Sequence, residues 1–187
     1  MTKKRGLPYQ HEPKCLSDGI WQRGWITPWE LLQISAWKAA NANLASLSTN
    51  TEEAIVERTA EVITHLMPLR QFDALAPTPE WQRWQEQASW AIGSDARRTG
   101  LLGLAGIGYP VATAVLCILN PRAFPVMDKW AIAALHGPNE RPSDHYGATP
   151  YRAYAEALVA RQSRFPACST IHEIDQALMN QGRASKT

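Results

Sequence analysis

The sequence predicts an all-α protein, and three observations lead there. Apolar residues recur at helical spacing through most of the chain, helix-start signals are frequent, and no stretch sustains the period-two alternation of strands joined by tight turns. A Thr-Pro step pairs an N-cap hydroxyl with a residue whose φ is already set for the first helical position. In chain order, Thr27-Pro28-Trp29-Glu30 opens a helix over 28–40 and is also a capping box. Apolar periodicity predicts the next helix over 51–67. Thr78-Pro79-Glu80 opens a Trp-rich helix over 79–92, and helices over 95–103, 109–119 and 128–136 follow. Thr149-Pro150 opens 150–162, and the capping box Thr170-Ile171-His172-Glu173 opens 170–180. Residues 137–149, rich in Gly, Pro, Asn and Asp, are the longest connection.

The 187 residues are 45% hydrophobic and 19% charged, which fits one globular unit that needs no disulfide or structural metal. Residues 16–180 are expected to form that domain, with flexible tails at 1–15 and 181–187. A formal net charge of +2 means that any nucleic-acid contact must come from a local basic face. Cys15, Cys117 and Cys168 show no CxxC spacing, and Cys117 sits in an apolar run as a buried thiol would. The five histidines show no ligand spacing, so no metal and no cofactor are expected. The basic start lacks an apolar core segment, and no run approaches a membrane span, so a cytoplasmic monomer with no membrane partner is expected.

The most informative stretch is Leu101–Leu135, LLGLAGIGYPVATAVLCILNPRAFPVMDKWAIAAL. Gly106-Ile107-Gly108 lies between two helical patterns, Leu104 and Ile107 can pack the turn, and Pro110 suits the first turn of the following helix. This reads as a helix-hairpin-helix spanning 94–120. Glycines there permit a sharp turn and close approach, and the following helix presents its positive end to an anion such as phosphate. The alternative is a plain helical hairpin.

The pattern L-x-G-I-G-x-x-x-A followed by an apolar helix and FPVMD resembles the helix-hairpin-helix DNA glycosylase superfamily of endonuclease III and adenine glycosylase. Trp37-Lys38, Asn50 with Thr59, Tyr151-Ala153-Tyr154 and Ile174-Asp175-Ala177-Leu178 are similar to small bacterial members without an iron–sulfur cluster. The resemblance implies about eight helices in two lobes, double-stranded DNA as partner, and a hairpin that grips the DNA backbone through Gly106, Ile107, Gly108 and Tyr109. It also implies an aspartate serving the sugar of a flipped nucleotide. Asp128, twenty residues after Gly108, matches that position. Bifunctional members carry a Schiff-base lysine where Pro110 stands here, and the endonuclease III branch carries a four-cysteine cluster loop that is missing.

The expected activity is therefore that of a monofunctional DNA glycosylase in base-excision repair, leaving an abasic site. A carboxylate beside the sugar would stabilise the oxocarbenium character that builds as the N-glycosidic bond breaks. Asp is equally a favoured N-cap, so the alternative reading of Asp128 is that it starts a helix. Arg97, Arg98 and Lys129 flank the hairpin and Asp128 as phosphate contacts or as surface charge. Trp29 and Trp37 are candidates for stacking on an extruded base, with Lys38 beside them, although core packing is the ordinary role of tryptophan. The competing readings are a non-catalytic DNA-binding module and a helical interaction protein.

Overall fold

The computed structural model describes residues 13, 15–39, 44–94, 96–137 and 139–184. Among them are nine α-helices: α1 (Leu16–Arg23), α2 (Pro28–Ala39), α3 (Leu44–Leu47), α4 (Glu52–Leu66), α5 (Trp81–Ile92), α6 (Tyr109–Leu119), α7 (Lys129–His136), α8 (Ala148–Val159) and α9 (Ile171–Ala184). No strand forms among the described residues; the sole β-type pairing is the isolated bridge between Ser94 and Thr99.

The sequence makes α6 apolar on every side, and a helix of that kind belongs at the centre. All of its residues except Pro110 are buried. Helices α1, α2 and α5 pack against it, α4 packs on α5, and α7 with α8 packs on α9. Trp84 is fully buried on α5 and donates its indole N–H to the Ala123 carbonyl (2.9 Å), so the aromatic bulk enters the core with its one polar atom satisfied. Cys117 is buried in α6 as its apolar surroundings suggest.

Local signals set several helix starts. At α2 the Glu30 amide donates to Thr27 Oγ1 (3.1 Å) and the Thr27 amide to Glu30 Oε2 (2.8 Å). At α9 the Glu173 amide donates to Thr170 Oγ1 (3.1 Å) and the Thr170 amide to Glu173 Oε2 (3.2 Å). These are two closed capping boxes. Helix α4 is capped by Thr51 Oγ1, which accepts the Ala54 amide at 3.2 Å.

Four expectations are corrected. Helix α1 stands at the start of the expected domain but is not among the expected helices, the first of which opens at 28, and its N-cap residue Cys15 makes no side-chain capping bond. Tertiary contact holds it instead: Ser17 Oγ (3.1 Å) and Trp21 Nε1 (2.9 Å) both donate to the Leu119 carbonyl, one of the acceptors left over at the C-terminus of α6. The helix expected over 95–103 is absent among the described residues 96–103: Ser94 and Thr99 close a small loop, Arg98 takes a left-handed φ of 52°, and Leu101–Gly103 is one 3-10 turn. Helix α8 begins at Ala148, before Pro150, and ends at Val159, while α5 begins two residues beyond Pro79. Finally, α9 runs to Ala184, so 181–184 are helical and not a tail. Residues 1–12, 14 and 185–187, where the rest of the expected tails fall, lie outside the described residues.

The seam between α7 and α9 yields a sign test. A Cβ at Gly182 would sit 2.1 Å from the Trp130 carbonyl oxygen, a backbone atom that cannot move without α7. Helix propensity alone favours Gly182→Ala by about 1 kcal/mol. The steric term is expected to win, with a loss of about 1–3 kcal/mol and a fall in Tm of several degrees in a thermal melt. An unchanged or raised Tm would show that the seam is loose.

Candidate functional site

The glycine turn is built from both sides. Leu104 and Ile107 are buried beneath it, as their positions in the sequence suggest. Gly106 has φ +80°, a conformation that needs glycine, whereas Gly108 is extended (φ −94°, ψ 172°) and serves as the N-cap of α6. The limb before the turn is the single 3-10 turn Leu101–Gly103, so the expected helix-hairpin-helix has an α-helix on one side only. Asn50 clamps the turn: its Nδ2 donates to the Ala105 carbonyl (3.0 Å) and its Oδ1 accepts the Ala105 amide (2.9 Å). The amides of Gly106, Gly108 and Tyr109 donate to no described residue, while that of Ile107 is spent on the Leu104 carbonyl (3.2 Å). Three donors around a helix N-terminus form a surface suited to an oxyanion.

Asp128 is delivered by the extended segment Phe124–Met127, which is wholly buried. Three side chains hold that segment: Tyr151 donates its hydroxyl to the Pro125 carbonyl (2.7 Å), Asp175 Oδ2 accepts the Val126 amide (3.0 Å), and Thr113 Oγ1 accepts the Met127 amide (3.1 Å). Thr113 stands on α6 four residues beyond Tyr109, so the two share a face about 6 Å apart. The turn and the carboxylate are thus brought to adjacent levels of one helix.

At Asp128 the two sequence readings meet. Its Oδ1 accepts the Trp130 amide at 2.8 Å, so the residue is the N-cap of α7. Its Oδ2 accepts from Lys38 Nζ at 2.7 Å, in an ion pair whose side chains are only 9% and 5% exposed. Lys38 is therefore neither a solvated lysine nor free to meet a phosphate in this state. Both carboxylate oxygens are engaged.

Behind this pair lies a second buried acid. Tyr154 donates its hydroxyl to Asp175 Oδ1, and His172 Nδ1 stands 3.9 Å from Oδ2. Burial pushes the Asp175 carboxyl up to about 6, against the opposing pull of His172, the Tyr154 hydroxyl, Lys38 and the Val126 amide. The Tyr154 phenol is raised well above its ordinary value by burial and by Asp175. Asp175 acts as a structural clamp on the segment that carries Asp128, as its place after a capping box suggests.

The remaining candidates are spread out. Trp37 is half-buried, its ring edge-on to His172 at 6.2 Å between centroids. Trp29 is 65% exposed, but it precedes Lys38 by nine residues on α2, about 13 Å along the axis and half a turn away in projection. Arg97 and Arg98 are exposed on the loop before the turn, and Lys129 is exposed with Nζ 4.9 Å above the Trp130 ring. Tyr109 is buried, donates its hydroxyl to the Gly147 carbonyl (2.8 Å) and has its phenol pushed up to about 12 by burial. Tyr146, which the sequence marks only as part of a long connection, stacks on Tyr109. No one-dimensional signal identifies it, because its neighbour is 37 residues away.

Among the described residues, no group of three or more His, Cys, Asp or Glu is arranged to hold a metal ion, and no helix is long and apolar enough to cross a membrane. Comparison with protein-family profiles, curated protein sequences and solved structures finds no match to this chain.

Proposed function

We propose that the chain is a DNA-binding protein of the base-excision type, a monofunctional DNA glycosylase that hydrolyses the N-glycosidic bond of an extruded nucleotide. The observation that carries this reading is that Thr113, one helical turn along α6 from three unspent amides at the Gly106–Tyr109 turn, holds the segment that ends in the buried carboxylate Asp128. The amides would receive a backbone phosphate, with Arg97, Arg98 and Lys129 supplying nearby positive charge. Asp128 would face the sugar, stabilise positive charge developing at C1′ and orient the attacking water, whose oxygen bonds to C1′ as the base departs with its electron pair and takes up a proton. Pro110 fills the position of the Schiff-base lysine, which favours hydrolysis over strand cleavage. In the free protein the Lys38 ammonium covers Oδ2, so approach of the sugar requires its displacement.

A second reading, a DNA-binding module without catalysis, is favoured by the full engagement of Asp128 as cap and ion-pair partner. The experiment that separates the two is a screen of the purified protein on duplex oligonucleotides carrying varied lesions and natural base modifications, read as alkali-labile breaks. Base release supports the glycosylase reading; salt-dependent binding without release supports the module; absence of both removes DNA from the function.

Binding through the turn is tested by Gly108→Val. Gly108 has an ordinary φ, and an added Cβ meets nothing closer than Pro110 Cδ at 3.9 Å, so the fold should stand. The new side chain crowds the amides. Affinity should fall for all duplexes alike, since backbone-phosphate contacts carry no sequence information. Unchanged affinity in a folded variant would remove the turn from the interface.

A further inference from the structure

We propose that the outer face of Tyr146 is the surface on which the extruded nucleobase stacks, with Tyr109 as a fixed backing ring; this rests on the DNA-binding reading above. The described residues expose three large aromatic side chains, Trp29, Trp90 and Tyr146. Trp29 is set apart from Asp128 on α2, and Trp90 has a ring face covered by His65 of α4, with centroids 4.0 Å apart. Tyr146 stacks on Tyr109, the residue that opens α6 directly after the turn. Its ring is nearly parallel to that of Tyr109 (8° between planes, centroids 4.9 Å), so one face is covered while the residue as a whole remains 37% exposed.

The backing ring cannot easily yield. Tyr109 is the first residue of α6, is buried, and is tied through its hydroxyl to the Gly147 carbonyl, the residue next to Tyr146. The hydrogen bond and the stack close a small loop that sets the plane of Tyr146. One turn along α6, Thr113 holds the Met127 amide, and Asp128 follows directly. Its charge reaches Tyr146: the phenol is raised by burial and then by Asp128, which keeps the ring neutral. Phosphate donors, an aromatic plane and a carboxylate thus occupy neighbouring positions, as a nucleotide's phosphate, base and glycosidic carbon would require. A flat aromatic face binds any base through stacking, so the site selects for an extruded base before it selects among bases.

The test uses the full chain and two duplexes of one length, one fully matched and one with a central mismatched 2-aminopurine, whose weak pairing lowers the cost of extrusion. The wild type should bind the mismatched duplex more tightly and change the 2-aminopurine fluorescence. Tyr146→Ala should lower that preference by about 5- to 150-fold or abolish it, as expected for the loss of one stacked base. Tyr146→Phe and Tyr146→Trp, which keep a ring, should retain both preference and fluorescence change. A Tyr146→Ala protein with wild-type preference overturns the proposal while leaving the DNA reading intact, and loss of preference in Tyr146→Phe shows that the hydroxyl and not the stack is responsible. If the wild type binds neither duplex, the DNA reading itself falls and takes this proposal with it.

Discussion

Asp128→Asn is expected to slow base release by about two to four orders of magnitude in single-turnover assays at saturating enzyme, with duplex affinity retained. The carboxylate is asked to act on charge that exists only as the glycosidic bond breaks, so its loss falls on the chemical step and not on ground-state binding. Asparagine is nearly isosteric and still caps a helix, so sequence reasoning alone predicts little effect on folding. The structure changes that expectation. Lys38 Nζ sits 2.7 Å from Asp128 Oδ2 with its side chain 5% exposed, and the amide substitution takes from a buried ammonium the carboxylate it is paired with. The variant should therefore be less stable as well as slow, and the rate must be measured well below its melting temperature. The double variant Lys38→Met/Asp128→Asn removes both charges together. It should regain stability and not base release. Recovery of release in the double variant, or a wild-type rate in the single one, would leave Asp128 as a cap and ion-pair partner and withdraw the catalytic assignment.

Lys38→Met should carry the largest stability loss of any single substitution at this site, about 3–5 kcal/mol and a fall in Tm on the order of 10 °C. Methionine fills similar volume without charge, so the cost comes from the buried carboxylate of Asp128, which loses the Lys38 ammonium while still accepting the Trp130 amide. The pair itself need not be stabilising relative to an apolar replacement, because desolvation of two ions offsets their attraction. That asymmetry gives the measurement its meaning: each single variant loses more than the double. A thermal or denaturant cycle over the four proteins should return a coupling energy well above the roughly 0–1 kcal/mol of an exposed pair. Additive losses would place Lys38 and Asp128 in solvent in the protein as it exists in solution.

The capping boxes at Thr27 and Thr170 were legible because cap and partner lie three residues apart, within reach of one local geometry. The central helix was legible too, since Tyr109–Leu119 is apolar throughout. Thr149-Pro150 misled in boundary, as the chain enters α8 from Gly147, and the run 95–103 misled in kind. There the backbone of Ser94 and Thr99 finds partners in itself, and a loop with satisfied hydrogen bonds displaces a helix of modest propensity.

By itself the sequence determined an all-helical chain and the glycine turn, and it was a family resemblance over the stretch after that turn that singled out Asp128. The first two rest on periodicity and on the conformational permissiveness of glycine, which are one-dimensional quantities. Only the tertiary structure decided that Asp128 meets Lys38 across 90 residues, that Asp175 grips the segment leading to it, and that Tyr146 covers Tyr109. The physical reason is the same in each case. Charge pairing, buried hydrogen bonding and ring stacking act through space at a few ångströms, and which residues come that close is set by how α2, α6, α8 and α9 pack, not by any pattern local to the partners.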